Sequence, residues 1–297
     1  MPFDTRFRTE KIIHDGVGIH CRIAGDGPPL LLLHGYPQTG YMWHKIAPRL
    51  SQDFTVVIAD LRGYGDSDKP PSNEQHSPYS KREMAADMVG VMAQLGFQKF
   101  AVAGHDRGGR VTHRMARDHS DRITALAVLD IAPTAAMYGQ TDMNFATAYY
   151  HWFFLIQPAP YPETLIGSDP RFFMIHKTGH WGRTNGAITD EAFEEYLRCF
   201  SKAETIHASC EDYRAAATID LEHDAADAAV KLEMPVLALW GKVGFVGQTY
   251  DVIREWQKVA KAVTGHAVPG GHFLAEESPD ETYAALHAFF TNPPAAG

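Results

Sequence analysis

The stretch KFAVAGHDRGGR, Lys99 to Arg110, joins a buried-strand pattern to a glycine-flanked acid and then to a helical pattern. Gly104, Asp106 and Gly108 form G-x-Asp-x-G, in which a nucleophile occupies a strained turn between a strand and a helix, and the glycines leave room for neighbouring backbone. The stretch therefore predicts a strand–turn–helix unit with Asp106 as a nucleophile. The alternative is that Asp106 only caps the following helix.

The rest of the chain predicts the sheet around this unit. A hairpin pattern turns at Asp15-Gly16, and further short apolar runs are bounded by Gly, Pro or Asp. Unbroken apolar runs that alternate with helical patterns are typical of a parallel sheet covered on both faces. We expect an α/β fold with a mostly parallel eight-stranded sheet; its strands are predicted in KIIHDGVGIHCRIAG (two strands), PLLLLHG, TVVIADLRG, KFAVAGHD, ITALAVLDIAP, PVLALWG and GHAVPGGH.

The alternation of strand and helix patterns stops between the sixth and seventh predicted strands, where the sequence becomes aromatic and helical. This pattern predicts a core made of residues 1–133 and 221–297, with residues 134–220 inserted as a helical cap. The cap is expected over the carboxyl edge of the sheet, where open α/β folds bind ligands. A linker between two independent domains is the weaker interpretation.

Composition limits the classes of partner. The 27 Lys and Arg residues against 36 Asp and Glu residues give a formal net charge of −9, which disfavours nucleic acid and membrane surfaces as partners. The odd cysteine count and the absence of an apolar run of membrane length favour reduced thiols in the cytoplasm. His176 and His180 are four residues apart, but without a third ligand they do not predict a metal site.

A carboxylate nucleophile forms an ester that needs a base and an orienting acid for its hydrolysis. GGHF places His272 directly after the last predicted strand, in the order nucleophile, acid, base. Asp130 ends the sixth strand, whereas the stretch after the seventh, ALWGKVGFVGQ, contains no acid. Elimination therefore favours Asp130 as the acid. Taken singly, His272 is also compatible with a surface loop and Asp130 with a turn.

The chain resembles the α/β-hydrolase haloacetate dehalogenases over nearly its whole length. The resemblance rests on LLLLHGYPQT, VVIADLRGYGDSDKP, GHDRGGR, AVLDIAPT, YHWFF, QPAPYPE, CEDYRA and GGHF. It implies Asp106, Asp130 and His272 as the catalytic triad and no cofactor. It also implies that Arg107 and Arg110 bind the carboxylate of a haloacetate, which suits guanidinium geometry. A homodimer is expected from the resemblance alone.

The same resemblance implies a halide site made of His151, Trp152 and Tyr213, with Trp181 as a pocket wall. On the residues alone, YYHWFF would be an aromatic stripe that packs the cap onto the core. The backbone amides of Tyr36 and Arg107 are expected to form the oxyanion hole. Since the family usually has Phe at the position of Tyr36, halide preference is left open.

Two other functions compete with haloacetate hydrolysis. Epoxide hydrolases share the fold and the Asp nucleophile, but normally have Trp directly after the nucleophile and an acid after the seventh strand. This chain has Arg107 and no acid at those positions, so only cap tyrosines support that interpretation. A non-catalytic binding protein on the same fold is the second alternative.

Overall fold

The computed structural model describes residues 3–294. Its centre is an eight-stranded sheet in the order β1-β2-β4-β3-β5-β6-β7-β8. β2 is antiparallel to both β1 and β4, and the remaining pairs are parallel, as the sequence predicted. The strands are β1 Arg8–His14, β2 Val17–Ala24, β3 Pro29–Leu33, β4 Thr55–Ala59, β5 Phe100–His105, β6 Ile123–Leu129, β7 Val236–Gly241 and β8 Val263–Val268.

Burial explains why the central strands are unbroken apolar runs. Leu30 to Leu33 of β3 are fully buried, and all of β4 is buried. Successive side chains of a strand point to opposite faces, so both faces of the sheet must be covered. At the edge, Asp15 and Gly16 adopt positive φ angles of 45° and 81° and close the β1–β2 hairpin.

The helices pack around this sheet, and the helix that follows β5 contacts both β5 and β6. The helices are α1 Ala47–Leu50, α2 Lys81–Gln94, α3 Arg107–Asp118, α4 Thr134–Gly139, α5 Met143–Ala148, α6 His151–Leu155, α7 Tyr161–Ser168, α8 Pro170–Trp181, α9 Asp190–Phe200, α10 Ala203–Ala216, α11 Ile219–Ala226, α12 Phe245–Thr249, α13 Val252–Val259, α14 Leu274–Glu277 and α15 Pro279–Thr291, with 3₁₀ turns at Gly40–Trp43 and Ser77–Tyr79.

Helices α4 to α11 all lie between β6 and β7 in the chain. The expected boundary at residue 220 falls inside α11, because the helical pattern continues to Ala226 and β7 begins only at Val236. We keep the name cap for α4 to α10. None of the helices within residues 3–294 is both long and apolar enough to cross a membrane.

Candidate active site

The nucleophile position is a strained turn between β5 and α3. Asp106 has φ 45° and ψ −112°, and α3 begins at the next residue. A Cβ on Gly104 would lie 2.4 Å from the carbonyl oxygen of Gly108, so this tight turn requires glycine. The Asp106 side chain accepts no capping hydrogen bond from α3; instead its Oδ2 accepts one from the Tyr36 amide at 3.0 Å. The helix-cap interpretation of Asp106 is therefore wrong.

The predicted base and acid form a hydrogen-bonded pair. His272 Nδ1 lies 2.7 Å from Asp130 Oδ2, and the amide of Gly241 donates to Asp130 Oδ1 at 2.9 Å. Asp130 follows β6 directly and also has a positive φ, 51°. The other ring nitrogen of His272, Nε2, is buried with no hydrogen-bond partner among residues 3–294. This arrangement leaves Nε2 to act on a water molecule or a substrate.

The charges around Asp106 and His272 determine the protonation states of both side chains. Burial by itself raises the pKa of Asp106, but the attraction of His272, Arg107 and Arg110 outweighs it and lowers the pKa below the ordinary value. Burial lowers the pKa of His272, but the hydrogen bond and charge of Asp130 outweigh it and raise the pKa. Asp106 is therefore ionised at neutral pH, as a nucleophile must be.

His105 holds the loop that carries the base. Its Nε2 lies 2.8 Å from the carbonyl oxygen of His272, and the two rings are 4.5 Å apart. Burial, followed by the charge of His272, lowers the pKa of His105 to about 3. His105 is thus a neutral brace for the loop of His272.

The two arginines after the elbow are buried and already partly engaged by the protein. Arg107 donates from Nε and Nη2 to the carboxylate of Asp212 at 2.9 and 2.8 Å. Arg110 donates from Nη1 to Thr134 Oγ1 at 2.9 Å. The nitrogens without a partner among residues 3–294 are Nη1 of Arg107 and Nε of Arg110. Each arginine can therefore offer a substrate one free donor nitrogen, Nη1 of Arg107 with two N–H groups and Nε of Arg110 with one, rather than a complete fork.

The residues predicted as a halide site lie together on the cap helices α6 and α10. His151, Trp152 and Tyr213 are almost fully buried, and His151 Nδ1, Trp152 Nε1 and the Tyr213 hydroxyl have no partner among residues 3–294. The Tyr213 ring centroid is 5.5 Å from that of His151 and 6.4 Å from that of Trp152. Burial, followed by the charge of Lys177, holds the pKa of His151 well below its usual value, so the imidazole is neutral.

Tyr36 and Trp181 complete the walls of the candidate active site. The Tyr36 ring is 5.3 Å from Tyr213, and its buried hydroxyl also lacks a partner within residues 3–294. The Trp181 ring lies 4.5 Å from His151 and 5.3 Å from His272, so it connects the cap to the base. The geometry brings every predicted site residue into this one region.

The protein family follows from comparison with known sequences. Residues 28–279 match the model of the alpha/beta hydrolase fold. The chain belongs to the α/β-hydrolase family. Fluoroacetate dehalogenase from Burkholderia sp. is 45% identical over 277 residues, which cover 93% of this chain and 91% of that protein. The resemblance inferred from the motifs is thus confirmed.

Two further relatives show how broad this α/β-hydrolase group is. Soluble epoxide hydrolase from Corynebacterium sp. (strain C12) is 35% identical over 290 residues, covering 96% of this chain and 98% of that protein. The crystal structure of a candidate alpha/beta hydrolase from Nostoc sp. PCC 7120 superposes with a TM-score of 0.96 at 55% identity, covering 97% of this chain and 99% of that one. The family and its relatives identify the chain as a hydrolase.

Sequence reasoning missed the residue that anchors Arg107. Asp212 is fully buried and accepts hydrogen bonds from Arg107, Lys81 and the Tyr64 hydroxyl, the last at 2.6 Å. Burial raises the pKa of Asp212, but the charges of Arg107 and Lys81 outweigh it and hold the pKa far below the ordinary value. The one available signal was its place in CEDYRA, directly before Tyr213.

Potential metal ligands lie away from this α/β-hydrolase site. Among residues 3–294, Asp66, Glu195 and Cys199 bring ligand atoms close together. Both carboxylates are paired with Arg198, at 2.6 and 2.8 Å. This group is better described as a surface ion-pair network than as a metal centre.

Proposed function

We propose that this hydrolase converts a haloacetate and water into glycolate and halide, with fluoroacetate or chloroacetate as substrate. The observation that supports this most strongly is the set of buried donors around Asp106. Arginine N–H groups suit a carboxylate, and the neutral N–H and O–H groups of His151, Trp152 and Tyr213 suit a departing halide. The identity to a fluoroacetate dehalogenase points to the same chemistry.

In the first step, Asp106 attacks the α-carbon while the carbon–halogen bond breaks and its electron pair leaves with the halide. The Tyr36 amide occupies Oδ2, which leaves Oδ1 to attack. Arg107 and Arg110 hold the substrate carboxylate and offset its repulsion by Asp106. His151, Trp152 and Tyr213 donate to the halide where its charge develops, which matters most for fluoride.

In the second step, His272 Nε2 takes a proton from water, and the resulting hydroxide attacks the ester carbonyl of Asp106. The amides of Tyr36 and Arg107 stabilise the tetrahedral oxyanion. When the intermediate collapses, glycolate leaves with the proton from His272, and the new carboxyl of Asp106 loses its own proton. Asp130 orients the imidazole throughout.

Epoxide opening is the second candidate, because a soluble epoxide hydrolase is 35% identical over nearly the whole chain. The Tyr213 and Tyr36 hydroxyls lack partners among residues 3–294 and could donate to an epoxide oxygen. Two features favour the haloacid instead. A buried cation follows the nucleophile, and the acid comes from β6 rather than from the region after β7.

The test is halide release from fluoro-, chloro- and bromoacetate, with styrene oxide as the neutral competitor. We expect halide release and little diol formation. In single turnover in ¹⁸O water the label should enter Asp106 and not the first glycolate formed, because water attacks the ester rather than the α-carbon. His272→Asn should accumulate the ester, measured as added mass on the peptide that contains Asp106, and Asp106→Asn is the matched control.

Three outcomes would contradict the proposal. Diol without halide would assign the protein to epoxide hydrolysis, and neither product would favour the non-catalytic binding protein. Label appearing directly in the first glycolate would make Asp106 a base rather than a nucleophile. The expected homodimer and the cytoplasmic location stay predictions.

A further inference from the structure

A cleft of about 270 Å³ leads to the catalytic base from outside. Its walls come from α5, the end of α8 and α12, and its inner end includes Trp181 and His272. Asp106 does not line it, so the cleft lies outside the chemical site and ends at the base. A small substrate that must reach a site this deeply buried needs such an opening.

The charge of this cleft is opposite to that of the molecule. The chain carries a formal net charge of −9, which repels an anion as it approaches. No acidic side chain lines the cleft, and Arg183 is its one lysine or arginine among the described residues. The two arginines of the site cannot replace it, since Arg107 and Arg110 are almost fully buried.

Arg183 is exposed, yet it is held in place. Its amide donates to Glu277 Oε2 at 2.8 Å. Its Cγ would lie 2.7 Å from a Cβ on Gly271, so the stem packs on the residue next to His272. Its guanidinium has no ion-pair partner within residues 3–294. The Glu277 carboxylate accepts from the backbone amides of Arg183, Gly271 and Phe273.

We infer that this cleft is the entrance for an anionic substrate and that Arg183 recruits the carboxylate at its mouth, before the substrate passes to Arg107 and Arg110. The inference rests on the proposed function, since it requires a small anion as substrate. A fixed positive charge at a concave opening concentrates anions locally and speeds their entry. Arg183 takes no part in bond making or breaking, so it affects capture and not chemistry.

The experiment measures kcat and KM for chloroacetate over a range of salt concentrations. Arg183→Gln is expected to lower kcat/KM by roughly two- to fivefold at low ionic strength through KM, with kcat unchanged. The difference should disappear near 1 M salt, where the Debye length is about 3 Å. Arg183→Lys should restore most of the loss, because it keeps the charge.

Lys99→Gln is the matched control for net charge. Lys99 is exposed and precedes β5, so it lies at the opposite end of that strand from Asp106. The Lys99→Gln variant should leave kcat/KM for chloroacetate unchanged. If wild-type protein turns over chloroacetate but Arg183→Gln keeps the wild-type kcat/KM and salt dependence, the inference is wrong and the proposed function stands. If the wild type releases no halide, the proposed function itself fails and the inference falls with it.

Discussion

His272 is the residue whose protonation state should govern the pH dependence of turnover. Its pKa is raised above the ordinary value near 6.5 because the hydrogen bond and charge of Asp130 outweigh burial. Only the neutral imidazole can accept a proton from water, so ester hydrolysis should fall as the pH drops through this raised pKa. Asp130→Asn removes the charge, which should move the acidic limb to lower pH and reduce the plateau rate at least about 100-fold.

The measurement is the pH profile of the hydrolysis step, followed in single turnover after the ester has formed. Ester formation should change far less, because Asp106 and not His272 attacks the substrate. An acidic limb that stays in place in Asp130→Asn would contradict the assigned role of Asp130.

Tyr36 is the residue where this chain departs from the dehalogenase pattern. Tyr36→Phe keeps the backbone amide that binds Asp106 Oδ2 but removes a buried hydroxyl close to Tyr213 and His151. If that hydroxyl also donates to the halide, fluoride release should fall about tenfold more than bromide release, since fluoride depends more on donors. Tyr213→Phe is the control with the same lost group, and an unchanged fluoride-to-bromide ratio in Tyr36→Phe would exclude this role.

At the scale of elements, α8 carries a buried lysine with no hydrogen-bond partner within residues 3–294. Lys177 is fully buried, and its Nζ has no hydrogen-bond partner among residues 3–294; it lies 3.6 Å from the ring centroid of Tyr150 and 5.2 Å from that of Trp181. Burial lowers its pKa to about 7. The folded state therefore binds this proton less tightly than the unfolded state, whose lysine pKa is about 10.4.

The sign of the stability effect follows from that difference. Between pH 10.4 and 7 the unfolded chain takes up the proton first, so Lys177 lowers the stability progressively, and below pH 7 the effect is constant. Lys177→Met should raise Tm by several degrees at pH 7, and the gain should vanish near pH 10.5. Lys242→Met is the control, because that exposed side chain stays in water in both states. A gain that is independent of pH would indicate improved packing instead.

For the whole molecule, the core sheet could be predicted from the sequence because its strands are buried on both faces and are therefore unbroken apolar runs. The carboxyl ends of its parallel strands meet at one edge. That edge places Asp106 and Asp130 next to each other and positions the loop of His272. The cap offered no comparable rule, and its boundary, expected at 220, fell inside α11. The role of Asp212 could not be predicted, since its partners are more than 100 residues away in sequence.

Asp212 also joins the cap to the core, because it lies on α10 while Arg107, Lys81 and Tyr64 belong to the core. Asp212→Asn would leave the buried Arg107 without its counter-charge and Lys81 with Asp220 alone, at 3.4 Å, which should cost about 3–5 kcal/mol of stability. Arg107 would also lose its anchor, so KM for a haloacetate should rise. Since the pairs cross between the two parts, cap and core should unfold in a single transition in the wild type.

Urea unfolding and thermal melts measure this effect, and Glu194→Gln is the matched control. Glu194 Oε1 lies 2.7 Å from Nη1 of Arg171 in an exposed ion pair on the cap. This pair should contribute less than about 1 kcal/mol to the stability. Combining Lys81→Met with Asp212→Asn in a double-mutant cycle measures the coupling energy of this buried pair, which should exceed that of an exposed pair. Equal losses in Asp212→Asn and Glu194→Gln would show that the cap is held by apolar packing and not by this buried charge cluster.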